Sequence, residues 1–567
     1  MERTGRALRW LLLALAALAV AHTLSIAAQS NHALPFADQW GLIKNLVRYE
    51  AGELGLGELL WKQHNEHRWL VPRLFFLVDV FAFDARNSFL IAVIVALQAL
   101  HAALLVRLAY RTHQLPARWT PAVAAVVFVC LFSATQIENF ESGLGLPFAA
   151  VALAATAAFA ALARAAQPGA RAPLWLAAAL LAGAASATTM ANGLLVWPIL
   201  VGLAVWLRLG RGAALALAAG GLLVGAVYFA GYAKPPRHPD PIASLAHPLR
   251  ILAYTGVYVG GPFRGLGLPA AGAVGGFGLW LAALAALRTA SGPRPPHTAQ
   301  AALVGVLAFA AGTALLSAVG RATFPLAQAT ASRYATFALL LWGALAALLP
   351  TLTAASSTRR RLALLAACGC VALTLASFEP SIARGGAARH RHLDNAALAL
   401  LVGVDDYEAV AMIHPKPLHV FDAVGFLERH RLSIFAVPPP APFGEPLSDH
   451  YALGSSCLGL FRQIEPVAGV RRSGARVAGW AWDAQAGRPP DTIVLVDAAA
   501  TIVGAARTGI PLPGVAQRVP AVTDDRVGWR GYVAAPPGTE LLAYALAADG
   551  VSLCLLPGRG TLSGPER

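Results

Sequence analysis

Between Trp10 and Phe378 the chain is divided into apolar stretches of about 20 residues, and no other feature constrains its fold as strongly. A stretch of that length crosses the hydrocarbon core of a bilayer as one α-helix. The stretches are Trp10–Ala28, Ser88–Leu108, Thr120–Thr135, Gly143–Ala163, Ala172–Thr188, Gly193–Leu207, Gly212–Tyr232, Leu266–Leu287, Thr298–Val319, Tyr334–Leu352 and Leu362–Phe378. They predict a mainly α fold, a polytopic transmembrane bundle of about eleven spans. Only 13% of the residues are charged, about half the usual share of a soluble domain, which excludes an ordinary globular protein. The N-terminal segment resembles a signal sequence, but its long apolar run is read as an uncleaved first span, with cleavage near IAAQS as the alternative.

The connections between stretches alternate in charge. One set holds Arg107, Arg111 and Arg118, then Arg164 and Arg171, Arg208 and Arg211, Arg288 and Arg294, and Arg359 to Arg361, with no acid among them. The other set holds Asp38, Glu50, Glu53, Glu58 and Glu66, then Glu138 and Glu141, then Asp240. Cationic residues accumulate on the cytoplasmic side of a membrane protein. The pattern therefore predicts a cytoplasmic N-terminus and a C-terminal domain on the outer face. The net charge of +15 follows from these span ends; no basic helix with interleaved aromatics accompanies it, so nucleic acid is excluded as a partner. Lys44, Lys62, Lys234 and Lys416 are the only lysines among 44 cationic residues.

The most polar part of the first half is the external loop 29–87. Asp38 follows the first span, in FADQW, where a carboxylate can serve as general base or divalent-metal ligand. The alternative is a solvated loop aspartate or the N-cap of GLIKNLVRY. HNEHR gathers His64, Asn65, Glu66, His67 and Arg68 between Trp61 and Trp69. Read as a helix, it puts His64 and Arg68 on one face. Its spacing is not that of the HExxH zinc motif, although His64 and His67 with Asp38 remain a conceivable ligand set. A hydrogen-bonded polar cluster, or an interfacial aromatic belt with snorkelling cations, are the plainer readings. Trp69–Phe83 and Arg250–Gly260 are apolar but interrupted, and suit helices lying at the interface.

Polar residues recur at other external ends: Glu138 and Asn139 in QIENFESG, Asn192 in ATTMANGLLVWP, and Arg321, Arg333 and Tyr334 in GRATFPLAQATASRY. Arg321 and Arg333 depart from the positive-inside pattern. A guanidinium donates in pairs to phosphate, so an external arginine pair fits an anionic lipid head or a pyrophosphate group, or simple headgroup anchoring. After Phe378 the composition changes. Residues 379–440 read as a soluble, helical linker region with short helices near Asp406–Met412 and Pro417–His430, ending in the proline-rich VPPPAPFGEP. Residues 441–567 carry short alternating runs with Gly, Pro and Asp between them, which predicts a β-sandwich-like domain. Cys457 and Cys554 flank it and can pair if it lies outside the cytoplasm.

FADQW, HNEHRWLVPRL, IENFESG, MANGLLVWP and SRY, set in this architecture, resemble the GT-C superfamily of membrane glycosyltransferases and a group of bacterial polytopic proteins of that shape. The likeness covers residues 1–378; the paired DD, DE or ED of the family's first loop is absent. It implies a bacterial inner-membrane enzyme, of inverting type, with a periplasmic C-terminal domain. Its donor would be a polyprenyl-phosphate sugar and its acceptor a glycan, lipid or protein, with membrane lipids around it. Asp38 would be the catalytic carboxylate, serving as base or metal partner, with Glu66 a candidate second one. His64, Asn65, His67, Arg68, Glu138, Asn192, Arg321, Arg333 and Tyr334 would contact substrate. No cofactor is required by the resemblance, though Mg or Mn on Asp38 is compatible with it. The alternative function is a transporter, or an assembly or scaffold protein, for cell-surface polysaccharide.

Overall fold

The computed structural model describes residues 2–235, 241–292, 295–352, 356–454 and 457–564, so Asp240 and Arg294 lie outside it. The chain divides into two compact units. The first comprises Met1–Asn31, Leu54–Asp79 and Asn87–Ala387; the second comprises His32–Glu53, Val80–Arg86 and Ala388–Arg567. The loop 29–87 is thus shared between the units, with Asp38 in the second and Glu66 in the first.

The first unit is helical. Among the described residues seven helices are long and apolar enough to cross a membrane: Arg9–Ser30, Ser88–Tyr110, Gly143–Ala165, Arg211–Phe229, Leu268–Ala290, Thr298–Arg321 and Ser332–Thr351. The other expected stretches are helical too, but Thr120–Leu131, Ala172–Ala187 and Ala191–Trp206 are shorter, so the expected eleven spans are not all of membrane-crossing length. Two of these give way to, or begin as, tight 3-10 turns at Ala134–Asn139 and Ala191–Leu195, where polar residues enter the sequence. Charged residues in the seven long helices stand within four residues of an end.

Trp69–Phe83 and Arg250–Gly260 contain the helices Leu70–Ala82 and Pro248–Val259. The second of these lies close against Leu268–Ala290 because both present glycine at the crossing. A Cβ at Gly275 would stand 1.8 Å from the Gly256 carbonyl oxygen, so any side chain there separates the helices. This close approach fixes Tyr254 and Tyr258, both buried, beneath the polar end of the unit. HNEHR is not helical. Gln63–His64 (β1) and His67–Arg68 (β2) form a tight antiparallel hairpin, with His64 opposite His67. Asn65 in its turn has φ +48°, a conformation asparagine tolerates better than most residues.

The second unit is built on one sheet rather than a separated sandwich. Its strands are Ala452–Leu453 (β3), Cys457–Val467 (β4), Gly474–Asp483 (β5), Thr492–Asp497 (β6), Ile502–Ile510 (β7), Gly528–Val533 (β8), Glu540–Leu546 (β9), Ser552–Leu555 (β10) and Gly560–Thr561 (β11). They are hydrogen-bonded in the order β3-β10-β9-β6-β7-β8-β5-β4, with β11 also on β9. Only the β3–β10 pair is parallel. Alternation sends Ile493, Leu495, Trp529 and Ala543 into one core. Val494, Val496 and Tyr532 face another, covered by Leu398, Ala399 and Val402 of the helix Pro380–Val402. Cys457 on β4 and Cys554 on β10 form a disulfide. The proline-rich run packs against the sheet: Ala441 is buried and the Gly444 N–H donates to Ile502 O at 2.8 Å. In the same unit the helix Gln39–Glu50 buries Trp40, Ile43 and Leu46 on a helical stripe, and Glu50 holds Arg429 and His430 at 2.7 and 2.8 Å.

Candidate functional site

Polar residues from four separate connections meet in the first unit. The hairpin supplies the first part and is anchored to the end of Arg211–Phe229. Arg68 donates to the carbonyl oxygens of Trp61, Tyr228 and Ala230, at 3.1, 3.1 and 2.7 Å. It thereby satisfies carbonyls left open where that helix stops. The Tyr228 hydroxyl donates to the Glu66 backbone carbonyl at 2.6 Å, and Gln63 exchanges two hydrogen bonds with the Ala233 backbone. Arg68, expected at substrate, is therefore a brace that fixes where Glu66 stands.

Glu66 Oε1 takes a bond of 2.9 Å from Arg321, 255 positions away. The same guanidinium donates to the Tyr334 hydroxyl at 2.9 Å. Tyr334 stacks on Tyr258 with ring centres 5.3 Å apart, and both Arg321 and Arg333 lie over its ring, at 5.6 and 5.1 Å. Arg333 approaches Glu138 at 3.5 Å and is 45% exposed, so its fork faces outward more than that of Arg321. Asn139 locks this corner by donating to Arg333 O and Thr336 Oγ1, at 2.9 and 2.8 Å. His67 joins from the hairpin. Its Nδ1 accepts from the Ala191 N–H at 3.1 Å, so the neutral ring carries its proton on Nε2, 3.7 Å from Glu66 Oε1. His64 stacks on Trp69 at 4.1 Å. Asn192 donates to Thr313 at 3.2 Å, and its Oδ1 is buried without a hydrogen-bond partner.

Burial alone would raise the Glu66 carboxyl; His67 and Arg321 outweigh it and hold it below the ordinary carboxylate range. Glu66 is consequently an anion at neutral pH. It can accept a proton or stabilise positive charge, but it cannot serve as a protonated acid.

Asp38 has different company. It is the N-cap residue of Gln39–Glu50, yet its side chain makes no capping bond. It acts on His414, which burial, Lys416 and Lys44 together hold below the ordinary imidazole value against the pull of Asp38. His419 is lowered by burial and the same two lysines. A divalent cation does not fit a carboxylate clamped by Arg321. Among the described residues no group of three or more His, Cys, Asp or Glu side chains is arranged to hold a metal ion.

Tyr258 and Asn139 were not among the expected site residues. The spacing of Gly256 and Gly260 in YTGVYVG marked a helix that packs closely and so carries its tyrosines inward. Asn139 was noted beside Glu138 in QIENFESG as a polar residue at a span end, without a role at the site. Comparison of the chain with family models, with curated proteins and with solved structures finds no match.

Proposed function

We propose that the protein is a membrane glycosyltransferase that takes a sugar from a polyprenyl-phosphate donor and passes it to a hydroxyl of an envelope glycan, lipid or protein. One observation carries the reading: an ionised Glu66 is held by Arg321 beside a second, outward-facing arginine, Arg333, at the ends of long apolar helices. A lipid-linked phosphate demands that combination. Its tail needs apolar helix surface, its phosphate a guanidinium fork, and its sugar a fixed carboxylate.

In the proposed step Arg333 takes the donor phosphate, while Arg321 and His67 keep Glu66 in place. The acceptor oxygen forms a bond to the anomeric carbon, and the bond from that carbon to the phosphate oxygen breaks with its electron pair. The acceptor proton passes to a carboxylate. Glu66 is that base on the geometry of the first unit; the GT-C resemblance would give the role to Asp38. No step passes through a metal. The confinement of charges to the ends of the long helices favours an enzyme over a transporter, which needs polar groups along a path through the bilayer.

The reading places the protein in a bacterial inner membrane with its C-terminal domain outside. The Cys457–Cys554 disulfide supports that side, because such bonds persist in oxidising compartments.

Transfer turns a phosphodiester into a phosphomonoester, which phosphorus NMR follows whatever the sugar. Purified protein in nanodiscs, given a panel of polyprenyl-phosphate hexoses with envelope extract, should convert at least one of them. Glu66→Gln should slow conversion at least about a hundredfold, and Asp38→Asn, run beside it, separates the two assignments of the base. Conversion of no donor, or undiminished conversion in both variants, rejects the proposal.

A further inference from the structure

Arg333 is aimed from its backbone more than by its side chain. The guanidinium approaches Glu138 at 3.5 Å, lies over the Tyr334 ring and is 45% exposed, so its own contacts hold the fork loosely. The turn that carries it, Ser332–Tyr334, is tied to Ala134–Asn139 by three bonds. Ser332 Oγ donates to Thr135 O at 2.9 Å and accepts from the Glu138 N–H at 3.2 Å, and Asn139 Nδ2 donates to Arg333 O at 2.9 Å.

What holds Ala134–Asn139 lies deeper. The helix Thr120–Leu131 stops before it and leaves carbonyls open. Gln136 donates to one of them, Leu131 O, at 2.7 Å, and its Oε1 accepts from Thr336 Oγ1 at 2.6 Å. Thr336 carries the only hydroxyl in the helix Ala335–Leu348. It has one proton to give, and Gln136 takes it, so its oxygen is left to accept the second bond from Asn139, at 2.8 Å. The chain therefore has one direction: Asn139 N–H to Thr336, Thr336 O–H to Gln136, Gln136 N–H to Leu131. All three side chains are buried. Bonds aligned in this way strengthen one another in apolar surroundings, and no member can turn without leaving a buried group unpaired.

We infer that Gln136 and Thr336 are positioning residues that set the direction in which the Arg333 guanidinium meets the donor phosphate. The inference rests on the proposed function, in which Arg333 takes that phosphate. Neither residue touches the lipid; they act through Asn139 on the Arg333 carbonyl. Capping of the shortened helix is the competing account. It predicts lost stability with no change in what Arg333 binds.

Calorimetric titration of the full chain in phosphatidylcholine nanodiscs, with farnesyl phosphate and with farnesol, separates the two. Arg333→Gln should weaken farnesyl phosphate about tenfold and leave farnesol unchanged. Thr336→Val and Gln136→Leu should each weaken farnesyl phosphate about fivefold, again without effect on farnesol. Thr336→Ser keeps the hydroxyl and should bind as the parent does. Added to Arg333→Gln, Thr336→Val should weaken binding no further, because its effect passes through the arginine. Thr156→Val removes another buried hydroxyl of the same unit, bonded to His101 at 2.9 Å, and should leave both affinities unchanged. Parent-like phosphate affinity in Thr336→Val, an equal loss for farnesol, a further loss in the double variant, or an equal loss in Thr156→Val overturns the inference and leaves Arg333 its phosphate. So does failure of Thr336→Ser to restore binding. If Arg333→Gln binds farnesyl phosphate as the parent does, the proposed donor site falls and the inference falls with it.

Discussion

Replacing Glu66 by glutamine keeps the shape of the side chain and removes its charge. The carboxylate stands 2.9 Å from Arg321, and the two side chains are 24% and 26% exposed. A hydrogen bond to a charged group contributes about 1.5–3 kcal/mol, and this exposure puts the pair at the lower end, about 1.5 kcal/mol. Arg321→Gln should cost more, about 3 kcal/mol, because the bond to the Tyr334 hydroxyl is lost with it. The double variant should lose less than the sum, by about 1 kcal/mol, since the two changes remove one shared interaction. Reversible unfolding in mixed detergent, followed by tryptophan fluorescence, gives all four corners of the cycle. The pH dependence has a fixed sign. The Glu66 carboxyl is lowered in the folded protein, so its contribution is complete above the ordinary carboxylate value and is lost as pH falls through the folded value. The gap between parent and Glu66→Gln should therefore be constant from about pH 6 to pH 8 and close below about pH 4. Additive losses within about 0.3 kcal/mol, or a gap that persists in acid, would refute the coupling of these residues.

Other outcomes follow from neighbouring features. Replacing Cys457 and Cys554 by serine opens a crosslink between positions 97 residues apart and should cost up to about 4.7 kcal/mol by chain entropy, read as an unfolding midpoint that reductant lowers in the parent only. Asp79 is buried, and burial pushes its carboxyl up to about 6 against one bond from the Asn87 N–H. The fold thus disfavours its charged form, a cost absent below the ordinary value and complete above the folded one. Asp79→Asn should stabilise by up to about 3 kcal/mol at pH 8 and by nothing at pH 3, measured by thermal unfolding at both. Asp406 is 1% exposed and receives Arg476 through two bonds, of 2.6 and 2.7 Å, with the Tyr532 hydroxyl at 2.9 Å. Arg476→Met leaves that carboxylate buried and should cost about 3–5 kcal/mol, against less than 1 kcal/mol for the exposed Arg488→Met by the same denaturation.

The lengths of the apolar stretches were legible because one physical quantity, the thickness of a bilayer, sets them. Helices stand at all the expected stretches, but the sequence could not show where they stop short, as in Thr120–Thr135, whose α-helix ends at Leu131. The gathering of polar side chains in HNEHR was also legible. Its conformation was not. The i, i+4 spacing of His64 and Arg68 suggested a helix, and only tertiary bonds from Arg68 to the end of another helix select the hairpin. The pairing of Glu66 with Arg321 spans 255 positions, and no local pattern states which loops meet. In the second unit alternation identified strands, but hydrogen-bonding order along a sheet depends on edges, which alternation does not encode. VPPPAPFGEP reads as a linker because proline withholds a donor, yet the neighbouring Gly444 N–H and Glu445 carbonyl bond Ile502 at the start of β7.

The most direct test of the central claim is a cryo-electron-microscopy structure of the protein in nanodiscs with added polyprenyl phosphate. The account predicts phosphate density within hydrogen-bond distance of the Arg333 guanidinium, on the same side of Tyr334 as Glu66, with the prenyl chain running down apolar helix surface. A well-resolved lipid phosphate elsewhere, or none at saturating lipid while Arg333 stays paired with Glu138, would contradict it.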